Sequence, residues 1–400
     1  MLYVTTRNKY DTYTVFKANQ SDRGPDGGLF LPFRFPQVEK EELLALKEET
    51  VCQRIAKVLN LFFNAQLTAW DVELCGGKNP AKLVSMSHRI LVAEVWHNMG
   101  MDFAQLEERL SARICGSEEA GRKPTSWMRI AVRIAVLFAI YGELLNMDAT
   151  RPDTLLDIAV ASGDFTAPMA VWYARQMGLP IGNIICSDKD PAVWNMLHQG
   201  EARTDGVMPE NLERLVCAVF GVDENLRYCQ MCEDGRIYTT RPGTLEELRK
   251  GMFATVISAE RLQGLIPSTY RMAGYVMGPK TAMAYGGLQD YRAKTGENRL
   301  ALLMSDRSPA VDGKEVAQCM EITEAELRQL LGVWQNGTLR HWRSAPVPWR
   351  AKTYGYFWWH MGRVHGQTER RVFRCQTRGY HRFDGGSELG AGFAGCKSGL

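Results

Sequence analysis

Apolar residues recur along this chain in two different periods, and each change of period marks an element. Over residues 41–63, Leu43, Leu44, Leu46, Val51, Ile55, Val58, Leu59 and Phe62 fall at helical intervals, predicting one or two amphipathic helices. Residues 88–95 (HRILVAEV) read as a strand, 103–114 as a helix, 116–124 (GSEEAGRKP) as a polar breaker, and 127–145 as a helix with Arg129 and Arg133 on one side. Ahead of these, Asp26-Gly27-Gly28-Leu29-Phe30-Leu31-Pro32 predicts a glycine turn entering a hairpin or strand.

The clearest unit follows. Residues 155–161 (LLDIAVA) form a short apolar run, Ser162-Gly163-Asp164 a turn, 167–177 a helix and 181–186 a second apolar run. That order predicts a βαβ unit, hence a parallel sheet with a right-handed crossover. Further helices are expected near 245–250 and 279–295 and a strand at 300–304, with no internal repeat.

The pattern breaks near Val333. Five of the ten Trp, four of the seven His, eleven Gly and no Ile lie from there onward, without amphipathic period. This segment carries 11 basic and 3 acidic residues; with a whole-chain charge of +3, the first 332 residues stand at −5. The mild basicity therefore belongs to the tail. The preferred reading of residues 333–400 is non-native sequence such as out-of-frame translation. The other is a basic nucleic-acid-binding arm, which no RNP-like, KH-like or zinc-knuckle spacing supports.

Composition is otherwise that of a globular protein long enough for two or three domains: 400 residues, 45% apolar and 23% charged. The most apolar stretch, 130–141, contains Arg133 and is followed by Glu143, well short of the roughly 20 apolar residues that span a bilayer. The first residues lack the apolar core of a secretory signal, and the ten cysteines have no framework spacing. A reducing cytoplasm is the expected location.

Candidate chemistry is sparse. Backbone N–H groups at the start of a helix bind phosphate, so Ser162-Gly163-Asp164-Phe165-Thr166 is a candidate, although such a turn more often serves only as a cap. Cys229-Gln230-Met231-Cys232 is a lone CxxC with no second ligand pair, and His88 and His97 have no partner at ligand spacing. No metal site is expected.

The order of segments carries more than any single motif. Thr5-Thr6-Arg7 with Asp26 to Pro32 resembles the N-terminal signature of threonine synthases. Residues 161–184 (ASGDFTAPMAVWYARQMGLPIGNI) resemble that family's Ser-Gly-Asn-Phe-Gly phosphate loop and following helix. Ser126-Trp127-Met128-Arg129, Asn211-Leu212-Glu213-Arg214-Leu215, and Gly274-Tyr275 through Thr281-Ala282 add matches in the same order, spanning residues 1 to about 320. The resemblance implies an α/β fold type II scaffold, similar to the tryptophan synthase β subunit. It also implies a pyridoxal phosphate enzyme that converts O-phosphohomoserine and water into threonine and phosphate. The cofactor serves as an electron sink and a lysine as its covalent anchor. By the same resemblance the cofactor contacts fall on Ser162, Gly163, Asp164, Phe165 and Thr166, with Ser305 near the pyridine nitrogen. The partner is a phosphorylated amino acid, with neither membrane nor nucleic acid; the oligomeric state is not legible.

The chain departs from that family at the chemistry. Where a His-Gly-Pro-Thr-x-Ala-Phe-Lys-Asp segment is expected, residues 94–104 read EVWHNMGMDFA; His97 and Asp102 are the nearest matches. No lysine occurs from Leu83 to Arg122, so no Schiff-base lysine is assigned. The phosphate loop has Asp164 for Asn and Thr166 for Gly, and Lys280 replaces a His. A carboxylate about 4 Å from a phosphate charge costs on the order of 4 kcal/mol per unit charge at an effective dielectric of 20, roughly a thousandfold in binding. Only 24 residues run from Phe103 to Ser126, fewer than the roughly 30 of one βαβ unit, so the family's small lobe is expected to be largely missing. The expected organisation is a threonine synthase-like region over 1–80, an α/β domain with an internal deletion over 81–332, and the irregular tail over 333–400. Catalysis is expected to be impaired or lost, the alternative being a non-catalytic phosphate- or amino-acid-binding regulatory module.

Overall fold

The computed structural model describes residues 1–78, 81–96, 103–116, 123–202 and 208–335; the basic tail from 336 onward lies outside them. The chain opens with β1 (Leu2–Thr5), β2 (Tyr13–Thr14), α1 (Val15–Gln20) and β3 (Phe30–Pro32), the strands forming a small antiparallel sheet in the order β2-β1-β3. Gly27 supplies the positive φ, +77°, that turns the chain into β3, where the glycine-rich segment predicted a strand entry. Helices α2 (Lys40–Ala45), α3 (Val51–Phe63) and α4 (Ala69–Gly76) follow, with a 3-10 turn at Leu46–Glu48. Next come the hairpin strands β4 (Lys82–Ser87) and β5 (Ile90–Glu94), then α5 (Phe103–Cys115) and α6 (Ser126–Asn146).

The predicted βαβ unit is β6 (Leu156–Ala161), α7 (Thr166–Gln176) and β7 (Ile181–Asp188), its strands paired in parallel. After it run α8 (Ala192–Gln199), β8 (Glu201–Ala202), α9 (Leu212–Phe220), α10 (Val222–Glu233), β9 (Tyr238–Thr239), α11 (Leu245–Arg249) and β10 (Met252–Val256). The described chain closes with α12 (Ala259–Ala273), α13 (Pro279–Thr295), β11 (Ala301–Ser305), α14 (Gly313–Met320) and α15 (Glu324–Gln335). Helix α15 carries through the change of composition at Val333 to Gln335.

The central sheet has the order β10-β7-β6-β11-β5-β4 and is parallel throughout except for β4, which pairs antiparallel with β5 and carries a register shift between Ser85 and Ser87. Period-two alternation places its side chains on two faces. Leu91, Ala93, Leu156, Ile158, Val160, Ile184, Cys186, Leu302 and Met304 join one buried cluster with α3, α6 and α7. Ile90, Val92, Ala159, Ile185, Ala301 and Leu303 join the other with α12, α13 and α14. Both faces are covered, which is why these strands read as unbroken apolar runs in the sequence.

Helix α6 lies inside the first layer and is buried on nearly every side, so apolar residues fill it apart from Arg129, Arg133 and its last turn. Its Gly142 makes room for Arg54 of α3: a Cβ there would lie 2.5 Å from the guanidinium carbon. Arg54 is fully buried, donating through Nε to Leu46 O (2.6 Å) and through Nη1 to Ala139 O (3.1 Å) while pairing with Glu143.

Helix α5 is tied to α4 through Asp71. Its carboxylate accepts from Thr68 N (2.8 Å), Thr68 Oγ1 (2.7 Å) and Arg113 Nε (2.8 Å). These bonds, from Thr68 first and then Arg113, hold its pKa down at about 2. Folded-state pKa below unfolded means that this stabilisation is complete above the ordinary carboxylate pKa of 3.8 and is lost as pH falls from there towards 2. Asp71→Asn should therefore flatten the acid limb of a stability-versus-pH curve over that window, measured by urea unfolding at successive pH values.

Candidate functional site

Strands β5, β6, β7 and β11 all end at the same edge of the sheet, with Ser305 in register with Glu94 and Ala161 with Ser187. Ligands in open α/β sheets bind outside this carboxyl edge. The turn 162–166 leaves β6 there and opens α7. Gly163 (φ +50°) and Phe165 (φ +65°) both adopt left-handed backbone, which for a buried aromatic costs about 1–3 kcal/mol and is offset by full burial of the ring.

Four of the turn's backbone donors are already engaged within the protein. Ser162 N donates to Ser187 O (2.8 Å) and Phe165 N to Ser162 O (2.8 Å). Gly163 N donates to Asp188 Oδ2 (2.8 Å), and Thr166 N to Asp164 Oδ1 (3.1 Å). Two of these four acceptors are carboxylates. Asn211 clamps the turn from α9, its side chain donating to Asp164 O (3.0 Å) and Thr166 Oγ1 (3.0 Å). Ser162 Oγ is buried and has no hydrogen-bond partner.

A chain of charges runs from the turn to the end of β11. Arg129 of α6 pairs with Asp164 (2.7 Å) and Glu107 (3.3 Å); Arg133, one turn on, pairs with Glu107 (2.7 Å) and Asp306 (2.7 Å) and lies 4.4 Å over the Phe103 ring. Desolvation pushes the Asp164 carboxyl up, but Arg129 and the bonds to Thr166 outweigh it, so its pKa falls below the ordinary value and the group is ionised at neutral pH. Desolvation pushes the enclosed Glu107 up, against the pull of Arg133 and then Arg129.

Ser305 is buried beside this network. It accepts from Trp96 Nε1 (3.1 Å) and Thr281 Oγ1 (2.9 Å), and Tyr275 donates to Glu94 (2.8 Å) at the neighbouring strand end. Lys280, next to Thr281, is exposed. His97 and Asp102 lie outside the described residues. Lys82 stands opposite Glu94 in register on the edge strand β4, three strands or about 14 Å from β6.

The other sequence motifs meet at a common junction. Thr6 Oγ1 and Arg7 bond Glu213, which also pairs with Arg23 (3.0 Å); Arg214, fully buried, donates to Phe30 O (2.8 Å) and Ser126 Oγ (3.1 Å). Thus Thr5-Thr6-Arg7, the strand after Gly28, Ser126-Trp127 and Asn211-Leu212-Glu213-Arg214 act together, fastening the N-terminal sheet to α6 and α9. Beside them a cleft of about 380 Å³ is lined by Arg7, Arg23, Glu210, Glu213, Cys229 and Cys232. Burial first, and Glu213 second, push the Cys229 thiol up to about 12, which suits an inert thiol rather than a redox pair. No group of three or more metal-ligating side chains occurs among the described residues.

The profile of the family "Threonine synthase N terminus" matches residues 2–76. Curated relatives named threonine synthase-like 1 are 24% identical in Homo sapiens and 26% in Mus musculus over 175 residues, 40% of this chain. Over its first 76 residues the chain is similar to the N-terminal region of threonine synthases. It spans about a quarter of the length of these curated relatives, 24% and 23%. The fold extends the likeness: threonine synthase from Brucella melitensis, solved with pyridoxal phosphate bound, superposes with TM-score 0.69 at 18% identity, covering 80% of this chain and 92% of that one. The yeast enzyme superposes with TM-score 0.65 at 15% identity, covering 80% and 90%. The α/β fold type II architecture expected from the sequence is thereby observed.

The carboxylates that sequence reasoning missed are Asp188, which accepts from Gly163 N, and Glu107 and Asp306, which meet at Arg133. Asp188 had a local signal, a carboxylate closing the apolar run of β7, but nothing in the sequence pairs it with Gly163.

Proposed function

We propose that this chain is a threonine synthase-like protein that does not carry out the family's reaction, the release of phosphate from O-phosphohomoserine to give threonine. One observation carries the reading: Gly163 and Thr166, amides expected to hold the cofactor phosphate, donate to the carboxylates of Asp188 and Asp164. The lack of any lysine from Leu83 to Arg122 supports it, because the stretch that leaves β5 offers no amine to anchor an aldehyde cofactor. The residues present therefore do not fit pyridoxal phosphate, and no catalytic step is derived through it. We place the protein in the cytoplasm: the eight cysteines of the described residues are unpaired, and no helix among those residues is long and apolar enough to cross a membrane.

The test uses the full chain. Incubation with pyridoxal phosphate and reduction with borohydride should leave no stably pyridoxylated lysine, and O-phosphohomoserine should release no phosphate above the uncatalysed rate. A modified lysine found by peptide mapping, Lys82 or any other, together with phosphate release, would overturn the reading.

The second reading, a regulatory module that binds a phosphorylated amino acid without chemistry, is favoured by one feature, the buried and unpartnered Ser162 Oγ. The phosphate titration described next separates the two.

A further inference from the structure

We propose that Asp164 and Asp188 are built-in counter-anions: they occupy the donors at the start of α7 that an external phosphate would use, and amides in their place convert this edge of the sheet into a phosphate site. The proposal deepens the reading above and rests on its identification of 162–166 as the ancestral phosphate turn. The start of an 11-residue helix favours negative charge, because its first amides have no partner within the helix. Here the chain supplies that charge itself. Asp188 takes Gly163 N through Oδ2 and, through Oδ1, the amides of Lys189 (2.7 Å) and Asp190 (3.4 Å). Asp164 takes Thr166 N with one oxygen and the Arg129 guanidinium with the other.

Two further features belong to an anion seat rather than to a plain helix cap. Ser162 Oγ is buried at the turn with its hydrogen bonds unmade. A Cβ added to Gly163 would meet nothing within 4 Å, so there is room in front of the turn. The charges that govern the site are Arg129, Asp164, Asp188 and, behind Arg129, Glu107.

Amide replacement separates charge from shape. In Asp188→Asn the carbonyl oxygen keeps the bonds to Lys189 and Asp190, while the NH₂ faces the Gly163 N–H donor to donor and releases it. In Asp164→Asn the carbonyl keeps Thr166, and Arg129 is freed to meet an incoming anion. Each carboxylate within about 4 Å of a phosphate weakens binding by up to roughly a thousandfold at a dielectric of 20. With water screening, the pair of changes should tighten phosphate binding on the order of a hundredfold or more.

The experiment is calorimetric titration of inorganic phosphate, at neutral pH and constant ionic strength, into the full chain, Asp188→Asn, and Asp164→Asn/Asp188→Asn, each with a thermal melt. The expected result is no saturable binding to the unaltered chain at millimolar phosphate, intermediate binding to the single variant and tightest binding to the double. Ser162→Ala in the double variant should weaken it again. Binding to the unaltered chain as tight as to the double variant, or no gain in a double variant that melts cooperatively, overturns the proposal. If the double variant does not melt cooperatively, Asp188→Asn decides on the same terms. Because the titration reads phosphate alone, a pyridoxylated lysine in the earlier experiment would overturn the functional reading and leave this result standing.

Discussion

Glu107→Ala should lower the unfolding free energy by about 3–5 kcal/mol, the cost of breaking a buried ion pair from one side. Glu107 is 1% exposed and is the common ion-pair partner of Arg129 and Arg133, which hold Asp164 and Asp306 in turn. Removing it leaves two guanidinium groups on neighbouring turns of α6 facing each other, with one carboxylate apiece at the far ends. Glu107→Gln keeps the volume and should retain most of the loss, because the missing charge rather than the missing bulk does the damage. Urea unfolding of the three proteins measures both differences; a loss below about 1 kcal/mol in the alanine variant would mean that the arginines find water, and the network would then be incidental.

Arg54→Ala has an expected cost of similar size, about 3–5 kcal/mol, by a different route. The side chain is fully enclosed between α3 and α6, so truncation leaves a cavity, removes one donor each from the carbonyls of Leu46 and Ala139, and takes away the ion-pair partner of Glu143. Glu143 is 31% exposed and turns to solvent cheaply, so the loss comes chiefly from packing and the two carbonyls. Arg54→Met, which refills the space without the charge, should therefore recover a substantial part of the stability. An Arg54→Met variant no more stable than Arg54→Ala would contradict this account.

The parts of the fold that were legible in the sequence are those where one period persists. The β6–α7–β7 unit and α6 are long apolar patterns bounded by glycine or polar turns, and their observed ends lie within a residue or two of the expected ones. Strand β10 went unread because five residues (MFATV) are too few to establish a period. Helix α12 went unread because Pro267 and Gly264 interrupt it; its neighbours on the second face of the sheet hold it helical in spite of them. The site divides in the same way. Asp164 stands out locally, as a carboxylate in a turn where an anion is expected. Asp188 lies 25 residues away, and its contact with Gly163 exists only because β6 and β7 pair in one particular parallel register. Glu107 and Asp306 likewise reach Arg133 only through the crossing of α5, α6 and the end of β11.

The register shift in the β4–β5 ladder also bears on how copies of this molecule behave at high concentration. An open sheet edge is a template for any other strand that meets it, and an unbroken, flat one invites polymerisation. Between Ser85 and Ser87 the register shift interrupts the ladder of the outermost strand, and Lys82 sets a charge at its start. An approaching backbone thus finds neither a straight row of donors and acceptors nor a neutral surface. The β4 edge of the sheet is guarded against fibre growth whether or not any ligand is ever bound.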